Sequence, residues 1–149
     1  MSYIIGTMDT QVQKAQGGIE MTQQQIKQMT DAEFNLWVYR DPWHALAFPY
    51  ACNRLSDKQF AYCVENLPRT ALAKSHVCKR LSDAQFARCV ELRPWIALAH
   101  AHACDLLTDD QFARCVEKEP KIALAFPYAY DRLTKEQIEF CHEQTGQPE

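Results

Sequence analysis

Apolar and polar positions along the chain follow a pattern that returns every 26 residues. The pattern begins at Met29, starts again at Leu55, Leu81 and Leu107, and a shorter copy follows from Leu133. The third and fourth copies agree at 16 of 26 positions, and such self-similarity is the signature of a repeat protein. We number positions 1 to 26 within each repeat, so that Leu55 is position 1 of the second repeat.

The first half of each repeat predicts a short amphipathic helix, called helix A. In the second repeat, Ser56 and Gln59 have the spacing of a capping box, in which each side chain bonds the other residue's backbone amide. Phe60, Cys63 and Val64 then form an apolar stripe on one helix face. Equivalent residue types recur in the other repeats, so helix A is predicted to begin at position 3 of each.

The second half of each repeat predicts another helix, called helix B. Proline at position 14 suits the first turn of a helix and cannot lie inside helix A. An Ala-Leu-Ala sequence follows in all four repeats, and helix B is expected to end near position 25. Pro49 and Pro127 at position 21 are expected to kink helix B in the first and fourth repeats.

Helices of this length are marginal alone and need neighbours to pack against. We therefore expect an all-α fold, a right-handed α-solenoid of about four and a half two-helix repeats with period 26. Trp37 fills position 9, where later repeats carry cysteine, and predicts a first repeat that packs on residues before Met29. The predicted array covers residues 29–145, divided as 29–54, 55–80, 81–106, 107–132 and the half repeat 133–145.

The ends of the chain differ from the array. Residues 1–28 form a glutamine-rich arm, in which Thr22 and Gln25 have capping-box spacing and predict a short helix around Gln23 to Gln28. Before Gly17 we expect a mobile arm or a loosely packed strand or helix. Residues 146–149 form a tail that ends the array.

Composition narrows the class of protein. Hydrophobic residues make up 47% and charged residues 23% of the chain, which is ordinary for a folded soluble protein. No apolar run is long enough to cross a membrane and no secretory signal is visible, so a cytoplasmic location is expected. The net charge of −3 argues against binding of nucleic-acid phosphates by the whole surface.

Seven cysteines raise the question of a metal or redox site. They fall only at positions 9 and 24, which favours packing in the core, because their spacing matches no close zinc-binding pairs. His100, His102 and Cys104 are the best metal candidates, but His102 points away from the face that the other two share. A metal-binding or redox protein is therefore the third hypothesis, and no cofactor is expected.

The motif set resembles the short tandem α-helical repeats of microbial and viral proteins. The resemblance rests on the capping box, the short helix, the proline and the Ala-Leu-Ala sequence, and it covers residues 29 to about 145. It implies an α-solenoid and hardly restricts activity. No phosphate-binding loop, nucleophile elbow or HExxH motif is present, so we do not expect an enzyme.

Helix B carries the candidate binding surface, a stripe at positions 15, 22 and 26 that changes from repeat to repeat. It is rich in tryptophan, tyrosine, histidine and arginine, the composition of protein interface hot spots. The predicted partner-binding residues are Trp43, Tyr50, Arg54, Arg80, Trp95, His102, Tyr128 and Arg132. An equally weighted interpretation is that the stripe packs between repeats.

The favoured function is a non-enzymatic protein–protein interaction module, an adaptor or an inhibitor that binds a partner protein through the helix B face. A phage- or pathogen-encoded inhibitor would fit this description. The alternative is nucleic-acid binding through the Arg54, Arg80 and Arg132 row together with aromatic stacking.

Overall fold

The computed structural model describes residues 21–146, which contain fourteen α-helices and no strand. The all-α prediction is confirmed. The residues divide between Leu67 and Pro68 into two compact bodies, the N-terminal body (21–67) and the C-terminal body (68–146). The helices are α1 Gln23–Gln28, α2 Asp31–Arg40, α3 Pro42–Ala47, α4 Pro49–Arg54, α5 Asp57–Asn66, α6 Pro68–Ala73, α7 Ser75–Cys78, α8 Asp83–Leu92, α9 Pro94–Ala99, α10 Ala101–Cys104, α11 Asp109–Lys118, α12 Pro120–Ala125, α13 Pro127–Tyr130 and α14 Lys135–Thr145.

The helices predicted as helix A are α2, α5, α8, α11 and α14, and each begins at position 3 as expected. Every one opens with a closed capping box. In α8, the Gln85 amide donates to Ser82 Oγ over 3.1 Å, and the Ser82 amide donates to Gln85 Oε1 over 2.9 Å. Such a cap is worth about 1 kcal/mol, so the boxes fix where these short helices start.

The prediction of one continuous helix B is wrong. The chain leaves the helix at position 20 in all four repeats and begins a second short helix at position 21. Prolines explain the extended Phe48 and Phe126, because the residue before proline disfavours helical geometry. Lys74 and His100 are extended at the same place with no proline after them.

The break lets both short helices bury side chains in the same core. Leu72 of α6 and Val77 of α7 are both 0% exposed. On a continuous helix, positions five residues apart would point about 140° from each other. Each predicted helical pair is therefore a set of three helices.

The core of each body is small and apolar. In the N-terminal body, Trp37 is 1% exposed and its ring centroid lies 5.9 Å from that of Phe34. Trp37 is thus buried as a large side chain at position 9, while its packing on the residues before Met29 stays a prediction. Ile26 of α1 is 2% exposed in the same body. The expectation for the chain before Gly17 lies outside the described residues.

The C-terminal body ends at α14. Gly146 caps this helix with φ of 70°, a left-handed conformation that glycine adopts without steric cost. Between residues 21 and 146, none of the helices combines the length and the apolar character required to cross a bilayer.

Candidate functional site

The predicted stripe on helix B contains two kinds of side chain. Some bond to backbone carbonyl groups about one repeat earlier in the chain, and others face solvent. Arg80 is half-buried and has an interaction partner within the chain.

Tyrosine side chains at position 22 bond backbone carbonyl groups 29 residues earlier in the chain. In the N-terminal body, the Tyr50 hydroxyl donates to the Met21 carbonyl oxygen over 3.0 Å. In the C-terminal body, the Tyr128 hydroxyl donates to the carbonyl oxygen of Ala99, the last residue of α9. Burial raises the pKa of Tyr128. The break in helix B leaves the Ala99 carbonyl group without a helical donor, and the Tyr128 hydroxyl satisfies it.

His102 plays the same part as the two tyrosines. Its Nε2 lies 2.7 Å from the carbonyl oxygen of Leu72, near the end of α6. Because a carbonyl oxygen only accepts, Nε2 carries a proton in this bond. Nε2 of His102 is therefore committed to the backbone and does not bind a metal in this arrangement.

Arginine at position 26 bonds carbonyl oxygens at and just after the end of a short helix that lies about one repeat earlier in the chain. Arg54 donates from Nη1 to the Ile26 carbonyl oxygen over 2.6 Å and from Nη2 to the Met29 carbonyl oxygen over 2.8 Å. Nη2 also lies 3.2 Å from Asp31 Oδ1, and the guanidinium covers the Phe34 ring at 4.5 Å from its centroid. One guanidinium thus meets two carbonyl groups, a carboxylate and an aromatic face.

Arg132 repeats this arrangement in the C-terminal body. It donates to the carbonyl oxygens of Cys104 and Leu107, both over 2.7 Å, and lies 3.3 Å from Asp109 Oδ1. Its guanidinium is 4.6 Å from the centroid of the Phe112 ring. The guanidinium groups of Arg54 and Arg132 therefore bond within the chain, as expected if the stripe packs between repeats.

Trp43 and Trp95, both at position 15, are the tryptophans that face solvent. Their exposed fractions are 43% and 37%. In the C-terminal body, the Arg69 guanidinium carbon lies 5.4 Å from the centroid of the Trp95 ring. Leu92, three residues before Trp95 in the chain, is 41% exposed. The sequence analysis did not select Arg69 or Leu92. Arg69 shares position 15 with Trp95 one repeat apart, a signal that could have identified the pair.

A cleft lies between α8 and α11 of the C-terminal body, with a volume of about 300 Å³. Val90 and Pro94 contribute apolar surface, whereas Glu91, Arg114 and Lys118 contribute charge. The cleft mixes both signs of charge. The full lining is Ala87, Val90, Glu91, Pro94, Gln111, Arg114, Cys115 and Lys118.

The cysteines have the chemistry of core residues. All seven are buried and none forms a disulfide. Burial raises the pKa of Cys63 to about 12 and that of Cys115 to about 11, so these thiols stay protonated near neutral pH. A protonated thiol is a poor nucleophile and a poor metal ligand.

The predicted metal candidates do not form a cluster. Across residues 21–146, no group of three or more histidine, cysteine, aspartate or glutamate side chains is arranged to hold a metal ion. The ring centroids of His100 and His102 lie 5.6 Å apart. Burial, followed by the charges of His102, Arg69 and Lys74, lowers the pKa of His100.

These observations define the exposed surface around Trp95 as the candidate site in the C-terminal body, with Trp43 as the equivalent residue of the N-terminal body by sequence register. Comparison with protein families, curated proteins and solved structures gave no match.

Proposed function

We propose that the chain is a non-enzymatic protein-interaction module, an adaptor or an inhibitor, that binds a partner protein through its exposed position-15 residues. The observation that carries the proposal is the exposure of Trp95, which lies near Arg69 in the C-terminal body. Tryptophan and arginine are the residue types enriched at the centres of protein interfaces.

The exposed indole supplies a source of binding energy. Trp95 keeps 37% of its surface in water, and covering that fraction would contribute about 2 kcal/mol. Leu92 adds apolar area, and Arg69 provides donors that can pair with a carboxylate of the partner. An exposed indole with an arginine near its ring suits a protein partner.

The predicted contact residues take two roles in this proposal. Trp43 and Trp95 remain direct contacts, and Arg80 stays with them as a candidate. Tyr50, Arg54, His102, Tyr128 and Arg132 hold the short helices in place, because their polar groups bond within the chain. These bonds hold the short helices in place before a partner binds. Less conformational entropy is then lost on association.

We also propose that the helical sets continue as a right-handed α-solenoid in the cytoplasm. The matching hydrogen bonds of Arg54 and Arg132, which occupy the same position in the first and fourth repeats, support the solenoid. The seven free thiols support a reducing compartment, since disulfides are rare there.

Affinity capture with two matched variants tests the proposal. Trp95→Ala removes the exposed indole, while Tyr130→Ala removes an aromatic side chain of similar exposure, 41%, from position 24. Circular dichroism first confirms that both variants are as helical as wild type. A partner captured by wild type and Tyr130→Ala but lost by Trp95→Ala supports the assignment. Equal capture by both variants contradicts it.

Nucleic-acid binding is the second candidate, because the Arg69–Trp95 pair places a cation beside an aromatic face that a base could stack on. The row of arginines at position 26 supports this candidate less well, because Arg54 and Arg132 donate their hydrogen bonds to carbonyl oxygens within the chain. A labelled single-stranded oligonucleotide titrated at two salt concentrations tests it. Binding that weakens steeply with salt and disappears in Trp95→Ala would favour this candidate.

A further inference from the structure

We propose that the carbonyl oxygens of Cys78 and Leu81, with Asp83 and Phe86, form a binding site for an arginine side chain of a partner protein. The inference comes from comparing the same place in different repeats. Position 26 carries arginine in the first, second and fourth repeats and Leu106 in the third. It rests on the proposed function in so far as the arginine belongs to a bound protein.

The contacts of Arg54 and Arg132 define what this place binds. Arg132 meets the carbonyl oxygens at position 24 of the preceding repeat and at position 1 of its own, which belong to Cys104 and Leu107. It also meets the carboxylate at position 3 and the phenylalanine ring at position 6, Asp109 and Phe112. Arg54 meets the groups at the equivalent places.

The third repeat holds the same four groups without an arginine of its own. They belong to Cys78, Leu81, Asp83 and Phe86, all within the C-terminal body. Within residues 21–146, no side-chain donor reaches the two carbonyl oxygens and no cation pairs with Asp83. Leu106 has no donor, and its side chain is 51% exposed.

Leu81 and Phe86 are more exposed than the equivalent residues next to Arg132. Leu81 is half-buried, whereas its equivalents Leu107 and Leu133 are buried. Phe86 is 8% exposed, compared with 3% for Phe112 beneath Arg132. The groups around Leu106 are therefore slightly more exposed than the equivalent groups around Arg132.

The geometry selects arginine over lysine. In both filled examples, separate donors of one planar guanidinium reach carbonyl oxygens while its face covers an aromatic ring. A lysine ammonium is a point charge and cannot make the forked contact and the stacking contact together. Asp83 adds a favourable charge at the edge of the site.

Titration of the full-length chain, labelled with nitrogen-15, tests the inference. The probe is the peptide acetyl-Gly-Arg-Gly-amide, and the matched control contains citrulline, which has nearly the same shape and no charge. The arginine peptide should shift the amide signals of Leu81, Asp83 and Phe86 and saturate at millimolar concentration, as a single side chain should. The absence of a saturating shift, or an equal shift with citrulline, would overturn the inference.

Three variants make the result specific. Leu106→Arg should fill the site from within and abolish the shifts, whereas Leu106→Ala should keep them. Arg132→Leu should create a second site, with new shifts at Leu107 and Phe112. Peptide-induced shifts that persist in Leu106→Arg would count against the proposal. So would a folded Arg132→Leu chain in which the peptide causes no new shifts.

Failure here can be separated from failure of the proposed function. Trp95→Ala should leave the shifts caused by the arginine peptide unchanged, because Trp95 is not among the four groups of the site. If partner capture depends on Trp95 and the peptide causes no shift, only the arginine site is rejected. If the peptide binds and Trp95→Ala captures the partner normally, only the Trp95 surface is rejected.

Discussion

The guanidinium of Arg132 donates a 2.7 Å hydrogen bond to the carbonyl oxygen of Cys104, 28 residues earlier in the chain. This bond and the one to the Leu107 carbonyl oxygen join the end of α10 and the residues after it to Arg132, which lies just after α13. Its two atoms belong to successive repeats. Position 26, which the sequence offered as a partner-binding position, thus connects neighbouring helical sets through Arg132.

Replacement of Arg132 by alanine should lower the free energy of unfolding by about 2 kcal/mol, because two carbonyl groups lose charged donors. Arg132→Lys should recover only part of this loss, since lysine cannot fork. Urea denaturation measures both. Arg114→Ala, which removes an exposed arginine of α11, is the control and should change stability little. An Arg132→Ala chain as stable as that control would mean that the bonds contribute nothing.

A proline at Ala101 should be tolerated. Ala101 begins α10 and follows the extended His100, as Pro49 and Pro127 follow extended residues in their repeats. We expect Ala101→Pro to change the unfolding free energy by less than about 1 kcal/mol in either direction. Thermal unfolding provides the measurement.

The matched control for this substitution is Ala97→Pro inside α9. The Ala97 amide donates to the Arg93 carbonyl oxygen, so proline removes a bond and clashes with the preceding turn. A loss of about 3 kcal/mol or more is expected. If Ala101→Pro were as damaging as Ala97→Pro, helix B would be continuous in the third repeat and the described break would be wrong.

Stability should fall at alkaline pH because of the buried thiols. Burial raises the pKa of Cys115 from 9.0 to about 11, so the folded state holds its proton more tightly than the unfolded chain. The stabilisation is fully present below pH 9 and is lost as the pH rises from 9 towards 11. Urea denaturation across this range should show a declining free energy of unfolding.

Cys115→Ala identifies the source of that decline. Removing one such thiol should reduce the slope by up to about 1.4 kcal/mol per pH unit. Cys141, whose pKa is also raised by burial, offers a second test at the other end of the C-terminal body. A slope unchanged by Cys115→Ala would show that this thiol is not buried in solution.

The three tryptophans should differ in their access to quenchers. Trp37 is 1% exposed, whereas Trp43 and Trp95 are 43% and 37% exposed. Variants that retain one tryptophan, with phenylalanine at the other two positions, separate their fluorescence. Acrylamide should quench Trp43 and Trp95 several times more strongly than Trp37. Similar quenching of all three would remove the basis for the proposed surface.

The sequence predicted the helix starts well because the capping box is local. Ser82 and Gln85 lie three residues apart and interact within one turn, so their spacing alone identifies the start of α8. The break in helix B was missed because Lys74 and His100 precede no proline. Nothing in the local sequence distinguishes their extended conformation from continued helix.

The role of the stripe could not be decided from sequence for a different reason. A surface of tryptophan, tyrosine and arginine has the same composition whether it faces a partner or a neighbouring repeat. Whether such a side chain faces a partner or a repeat depends on acceptors such as the Leu107 carbonyl oxygen, 25 residues before Arg132. Every residue has a backbone carbonyl group, so the sequence does not identify which one is bonded. Only the three-dimensional arrangement separates Arg132 from Trp95.

Titration calorimetry of the captured partner against the chain tests the central claim most directly. Our account predicts that Trp95→Ala weakens the affinity at least about tenfold, or 1.4 kcal/mol, while Tyr130→Ala stays near wild type. Loss of a desolvated indole is sufficient for an effect of that size. A Trp95→Ala chain that is folded and binds the partner as tightly as wild type would contradict the account.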